Sequence, residues 1–162
     1  TFGMMCSMVT YHQQLRHRLS QNYREELFVI LQDKDRAPKV PETIKNSIFY
    51  QEFQNLVEEF KTFRLFIVTK YGDEKALSFL LNCDQLKLIS SSNARADISM
   101  LSDRTCMNAQ WEIRELAIKK LMLLRTLSNV LYEKALPSCV MGQCREGKLT
   151  CGLQAKVRAQ FL

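Results

Sequence analysis

Glycine and proline are scarce in this sequence, which has only 5 glycines and 3 prolines among 162 residues. Both residues build tight turns, so a β-sandwich, which needs many turns, is not expected. No apolar run approaches the roughly 20 residues that a membrane-spanning helix requires. Long stretches without glycine or proline favour helices. The predicted fold class is therefore all-α, a multi-helix bundle without a sheet.

The sequence also lacks the residue patterns of common catalytic sites. It has no glycine-rich phosphate-binding loop, and no histidine stands at a useful spacing from a carboxylate or a cysteine. Its 2 histidines, His12 and His17, are five positions apart and would not share a helical face. We therefore expect no enzymatic activity, no catalytic residue and no cofactor.

Cysteine is present, but not in a metal-binding pattern. Cys139, Cys144 and Cys151 are spaced more widely than the paired cysteines of most structural zinc sites, and no histidine lies near them. The other three cysteines stand singly. Free thiols are typical of reducing compartments. We therefore expect no bound metal, no structural disulfide and a cytoplasmic protein.

Hydrophobic periodicity divides the chain into three predicted segments. Residues 1–36 should hold an N-terminal amphipathic helix, because apolar residues recur at four-residue steps from Tyr11 to Leu31. Residues 42–136 should form the core of the helical bundle. Residues 137–162 form a basic tail that contains cysteines, and its flexibility is left open.

The stretch from Phe60 to Ile89 organises the predicted bundle. Its phenylalanines recur at helical steps up to Gly72, which predicts the end of that helix because glycine tolerates a positive φ. Asp73 then predicts the start of a second helix, and Asn108 the N-cap of a later, long one. We expect one shared core that contains Phe53, Phe60, Phe63, Phe66, Leu77, Leu80 and Leu81.

This stretch resembles the regulator-of-G-protein-signalling (RGS) homology domain, an all-helical bundle. Members carry Phe-x-x-Phe-Leu at the end of one helix, Tyr-Ser-Glu-Glu-Asn at the turn, and Leu-x-Phe-Trp-x-x-Cys-Glu-x-x-Lys on the next helix. A later family pattern reads Ala-Gln-x-x-Ile-x-x-Leu. The matching residues are Phe63, Phe66 and Ile67, then 71–76, then Leu77, Phe79, Leu80, Cys83, Asp84 and Lys87, and finally Ala109, Gln110, Ile113 and Leu116.

The resemblance implies a domain that binds the α subunit of a heterotrimeric G protein and accelerates GTP hydrolysis without a catalytic group of its own. The asparagine with which the family contacts Gα falls on Lys75 or Ala76, neither of which replaces a carboxamide. Activation is therefore expected to be weak or lost. The partner-binding residues that the resemblance implies are Tyr71, Asp73, Glu74, Lys75, Ala76, Lys119 and Lys120.

Two alternatives from other classes stay open beside this resemblance. The first is a non-catalytic helical interaction module of a larger scaffold protein that is unrelated to G proteins. The second is docking of the basic segment 148–162 on an anionic membrane or on nucleic acid. The net charge of +6 is otherwise interleaved with acidic residues, which favours an ordinary solvated surface.

Overall fold

The computed structural model describes residues 1–161, so Leu162, the last residue of the predicted tail, lies outside the described residues. Three short strands lie among the helices up to Ser91, and only helices follow from Ala94 to Phe161. In chain order the elements are β1 (Phe2–Ser7), α1 (Met8–Gln14), β2 (Gln21–Arg24), α2 (Leu27–Gln32), α3 (Glu42–Lys45), α4 (Tyr50–Tyr71), α5 (Asp73–Ala76), β3 (Gln85–Ser91), α6 (Ala94–Arg104), α7 (Trp111–Leu127), α8 (Asn129–Tyr132), α9 (Ser138–Met141) and α10 (Gln154–Phe161).

A three-stranded antiparallel sheet makes the all-α prediction wrong. The strand order is β1-β3-β2, so β3 is central. Along β3, Leu86, Leu88 and Ser90 are buried while Lys87 and Ile89 are exposed, which is the two-residue alternation of a strand. The helix predicted to run from Asp73 towards Ile89 therefore stops early, at α5 and a single 3-10 turn.

The predicted continuous helix in residues 1–36 is also wrong. Its apolar steps are divided between α1, β2 and α2. Just after β2, the backbone N–H of Glu25 donates to the carbonyl of Lys87 at 3.0 Å, and the N–H of Lys87 donates to the Glu25 carboxylate at 2.5 Å. Glu25 and Lys87 lie 62 positions apart in the chain, so the local spacing of apolar residues could not predict this pairing.

The chain folds into two compact units, and the first comprises Thr1–Phe2, Gln13–Gln21 and the residues from Ser90 onward. Its core lies between α6, α7 and the short helices that follow, with Leu101 and Leu121 fully buried. Helix α7 begins after Gln110, whose side-chain oxygen accepts from two backbone N–H groups at 3.0 and 3.1 Å. The predicted N-cap, Asn108, is therefore two positions too early.

The second unit comprises Gly3–His12 and Asn22–Ile89, and α4 is its longest helix. The predicted helix end at Gly72 is confirmed, because α4 stops at Tyr71 and Gly72 has a φ of 85°. The predicted shared core is wrong, since Phe60, Phe63 and Phe66 are exposed. The buried residues of α4 are instead Val57, Arg64 and Ile67.

No helix within residues 1–161 is both long enough and apolar enough to cross a bilayer. The predicted division at 1–36, 42–136 and 137–162 stays a prediction.

Candidate functional site

A cationic cluster forms in the first unit where the turn after α1 meets the end of α6. The Arg104 Nε donates to Nε2 of His17 at 2.8 Å. Its two terminal nitrogens donate to the side-chain oxygen of Gln13 at 3.1 Å and to the backbone carbonyl of Gln13 at 3.2 Å. With Arg16, these residues define the cationic cluster: Gln13, Arg16, His17 and Arg104.

Backbone hydrogen bonds hold the turn that carries His17. The N–H of His17 donates to the carbonyl of Gln14 at 3.0 Å, and the N–H of Ser20 donates to the carbonyl of His17 at 3.0 Å. The buried side-chain amide of Gln14 donates to the Ser90 hydroxyl at 3.2 Å. The turn is therefore tied to the end of β3, and its geometry does not depend on helix α1 alone.

Helix α6 positions Arg104 from the other side. Its first turn is capped by Asn93, whose side chain accepts from a backbone N–H at 2.9 Å. In the same turn the Asp97 carboxylate accepts a hydrogen bond from the Lys120 ammonium at 2.5 Å. This ion pair links α6 to α7. Arg104 lies in the last turn, where the negative end of the helix dipole favours a cation.

The electrostatics of the cluster favour a neutral histidine beside two arginines. Burial lowers the pKa of His17 most, and Arg104 lowers it further. Asp103 opposes this shift, and Lys120 adds the smallest lowering effect. Burial also lowers the pKa of Arg104. Asp103 opposes that effect, and Arg16 adds to it by a smaller amount. Because Nε2 of His17 accepts a hydrogen bond from Arg104, that nitrogen carries no proton.

Arg104 carries a positive charge, and Asp103 acts on it electrostatically without forming an ion pair with it. Its three hydrogen bonds go to uncharged acceptors, and within residues 1–161 it forms no ion pair with a carboxylate. A guanidinium has five N–H donors, so two stay available, one on each terminal nitrogen. This paired geometry matches two oxygens of a phosphate group.

Two cavities adjoin Arg104 in the first unit. The smaller, of about 260 Å³, is lined by Arg104 itself. It shares Ser102, Asp103, Ser138 and Arg145 with a larger cavity of about 480 Å³. The larger cavity also has the ammonium of Lys134 and the apolar side chains Ile98, Leu136 and Met141. A ligand with both an apolar ring and anionic groups would find suitable partners here.

The residues predicted to bind a partner are divided between the two units. Residues 71–76 lie at the α4–α5 turn of the second unit, where Ala76 is fully buried. Lys119 and Lys120 lie on α7 in the first unit. Lys119 is exposed and donates to Glu115 at 2.6 Å, whereas Lys120 is buried against Asp97. The role of these residues as partner contacts stays a prediction.

Sequence reasoning missed the cationic cluster altogether. The only local signal was three successive basic residues, Arg16, His17 and Arg18. Arg104, which completes the cluster, lies 87 positions from His17 in the chain.

Comparison with known proteins identifies relatives across nearly the whole chain. A family model described as thymidylate synthase complementing protein matches residues 1–128. The flavin-dependent thymidylate synthase of Geobacter sulfurreducens is 30% identical over 168 aligned residues, which cover 99% of this chain and 71% of the relative. That of Clostridium tetani is 28% identical, with 93% of this chain and 68% of the relative covered. That of Thermococcus onnurineus is 32% identical, with 89% and 63% covered.

These matches overturn the functional reading of the sequence. The resemblance to an RGS domain is wrong, and so are the expected Gα partner and the scaffold alternative. The expectation that the protein is not an enzyme is also wrong, because the matched relatives are named as synthases. The resemblance rested on aromatic residues at helical steps, which many amphipathic helices share.

Proposed function

Since this chain belongs to the family described as thymidylate synthase complementing protein, we propose that it is a flavin-dependent enzyme of thymidylate synthesis. The family match carries this proposal, because residues 1–128 include every member of the cationic cluster. The named relatives support it, since they are flavin-dependent thymidylate synthases. The proposed location is the cytoplasm.

The cationic cluster is the proposed binding site for a phosphate group. Thymidylate carries such a group, and so does a flavin nucleotide. Arg104 would bind two phosphate oxygens through its two remaining N–H donors, with the charge of Arg16 nearby. Hydrogen bonds to a charged group contribute about 1.5–3 kcal/mol each, which makes Arg104 the strongest single contact of this site.

His17 acts as a positioning residue in this proposal. Its unprotonated Nε2 and the two oxygens of Gln13 hold the guanidinium plane in one orientation. The lowered pKa keeps His17 neutral at physiological pH, so it does not repel Arg104. A protonated His17 would lose the acceptor and add a second positive charge.

The cavities beside Arg104 fit the chemistry of a flavin. Besides Arg104, the cavities are lined by the cations Lys134 and Arg145, which form no ion pair with a carboxylate within residues 1–161 and would face the phosphate of the flavin. The hydroxyls of Ser102 and Ser138 would bind the sugar-like chain, and the apolar side chains would cover a face of the ring. A bound flavin supplies electron or hydride transfer. The residues of this chain would hold the flavin and exclude water from it.

Growth of a bacterial strain that lacks its own thymidylate synthase tests the activity. We expect the chain to support growth without added thymidine and the purified protein to show visible flavin absorption. Titration calorimetry with thymidylate and, separately, with flavin mononucleotide then tells which phosphate the cluster binds. Failure of growth together with no binding of either ligand would contradict the proposal.

A further inference from the structure

The connection between α9 and α10, residues 142–153, turns only its two cysteines inward. Cys144 and Cys151 are half-buried, and each of the other ten residues of this connection is exposed. Its two leucines, Leu149 and Leu153, are 76% and 40% exposed, so they do not form a core. Small folded segments that lack a hydrophobic core usually depend on a metal ion or a disulfide.

Two further cysteines lie where this connection meets the rest of the first unit. Cys139, on α9, is buried in the core of the first unit, and Cys144 packs against that core. Cys106 follows α6 and is half-buried, and it lines the cavity of about 260 Å³ together with Ser138, the residue before Cys139. We call these four residues the thiol cluster: Cys106, Cys139, Cys144 and Cys151.

Hydrogen bonds join the segments that carry the thiol cluster. The side-chain amide of Asn108 donates to the carbonyl of Leu149 at 2.8 Å, and each of these residues is two positions from a cysteine of the cluster. The backbone N–H of Arg145 donates to the Ser138 hydroxyl at 3.3 Å, and each of these residues adjoins a cysteine of the cluster. Three separate parts of the chain therefore bring their cysteines into one region of the first unit.

The thiols are close enough to affect one another electrostatically. Burial raises the pKa of Cys139 most, and the other three cysteines of the thiol cluster each raise it further, whereas a backbone hydrogen bond lowers it by a smaller amount. Four thiolates in one region would repel one another. A metal ion removes that repulsion, because a thiol that coordinates it loses its proton and shares the charge of the ion.

Four cysteines are the ligand set of a structural zinc site. Zn²⁺ takes four ligands in a tetrahedron and binds thiolates well. Four residues separate Cys139 from Cys144, which is the upper limit of the usual spacing within a pair of zinc ligands. The sequence argued against zinc because it showed three clustered cysteines and no fourth ligand near them. The fold supplies the fourth ligand, Cys106, from the end of α6.

We propose that the thiol cluster binds one Zn²⁺ through its four thiolates. Within residues 1–161 no group of three or more histidine, cysteine or acidic side chains is already arranged as a metal site, so the exposed connection 142–153 closes on the ion as it binds. Each thiol releases its proton in that step. The ion thereby fixes Ser138 and Arg145, which line both cavities beside Arg104. This inference goes beyond the proposed enzymatic activity and does not depend on it.

Elemental analysis of the full chain, purified under reducing conditions, tests the site. We expect about one Zn²⁺ per chain. Cys106→Ser should lose most of this zinc, and so should Cys144→Ser/Cys151→Ser, because a serine hydroxyl does not replace a thiolate ligand. The matched control is Cys83→Ser, which removes a half-buried free thiol of the second unit and should leave the zinc content unchanged. Circular dichroism checks the folding of each variant.

Measurements on the wild type alone cover the case in which a variant does not fold. Removal of the metal by a chelator should lower the midpoint of thermal unfolding, and added zinc should restore it. Cobalt(II) in place of zinc should give the visible absorption of a tetrahedral thiolate site. A reduced wild type that neither contains nor takes up zinc, iron or a disulfide in its place, or zinc retained by Cys144→Ser/Cys151→Ser would overturn the proposal.

Discussion

Helices α4 and α7 both carry apolar residues at helical steps, but α7 buries four of them and α4 buries two. In α7, Ile113, Ala117, Leu121 and Leu124 are all buried in the core of the first unit. In α4, by contrast, Leu56, Phe60, Phe63 and Phe66 are exposed. Periodicity therefore tells which residues share a face of a helix, but not whether another element covers that face.

The two helices are alike in one respect, because each buries a cation that is paired with an aspartate. Lys120 of α7 lies 2.5 Å from Asp97, and Arg64 of α4 lies 2.6 Å from Asp84. Asp84 also accepts from a backbone N–H at 2.7 Å, whereas Nε of Arg64 is buried without a hydrogen-bond partner. Both buried ion pairs should therefore be needed for stability, although α4 and α7 differ in how much of their apolar surface is buried.

The largest effect is expected from removing one member of these pairs. Asp97→Ala and Asp84→Ala should each lower the free energy of unfolding by about 3–5 kcal/mol, because each leaves a buried cation without its partner. Urea denaturation measures the change. As a control, Asp97→Ala/Lys120→Met should recover most of the loss, since it removes the buried charge as well. A loss below about 1 kcal/mol in Asp84→Ala would show that α4 is less firmly packed than α7.

A matched substitution on the two helices tests the comparison directly. Leu121→Ala should cost about 2–5 kcal/mol, because it leaves a cavity in the core of the first unit. Leu56→Ala, the same change at an exposed position of α4, should alter the free energy of unfolding by no more than about 0.5 kcal/mol. Thermal and urea unfolding measure the loss of stability in both variants. Equal losses in the two variants would mean that Leu56 is packed as tightly as Leu121.

A third variant separates ligand binding from the stability of the first unit. Arg104→Ala should weaken binding of thymidylate or of flavin mononucleotide by about 10- to 100-fold, the value of a lost charged hydrogen bond. Lys119→Ala removes an exposed cation of α7 outside the cluster and should change affinity little. Titration calorimetry measures both variants. Unchanged affinity for both ligands in Arg104→Ala would exclude the cationic cluster as the phosphate site.

The smallest effect concerns pH and acts on the first unit alone. The pKa of His17 is lower in the folded protein than its ordinary value of 6.5. Below pH 6.5 the unfolded chain therefore binds this proton before the folded protein does, and stability falls as the pH drops through the folded pKa. Unfolding at successive pH values should show this loss in the wild type and not in His17→Gln, which keeps an acceptor for Arg104. If the stability of the wild type and of His17→Gln depended on pH in the same way, this prediction would be contradicted.

Local signals in the sequence predicted some elements correctly. The end of α4 followed from Gly72, because only a residue that tolerates a positive φ fits there. The apolar steps of α7 likewise predicted the buried face around Leu121. The central strand β3 was missed, although Leu86, Lys87 and Leu88 alternate, because leucines at helical steps were given more weight.

The candidate site could not be predicted in the same way. Arg104 and His17 become neighbours only through the folding of the first unit, and nothing in the residues around either one indicates the other. The match to an RGS domain failed for a related reason. That match compared the spacing of apolar residues on helices, which indicates packing. The proposed chemistry depends instead on polar residues such as His17 and Arg104, which the match did not include.

The sequence alone determined where the long helices run, because helical hydrogen bonds join residues four positions apart and caps act within one turn. It also determined which side chains share a face of α4. Only the tertiary structure decided that Leu121 of α7 is covered while Phe60, Phe63 and Phe66 of α4 are not. It also decided that residues 85–91 form a strand and that Arg104 binds His17. Each of these depends on partners far along the chain, and only folding brings such partners into contact.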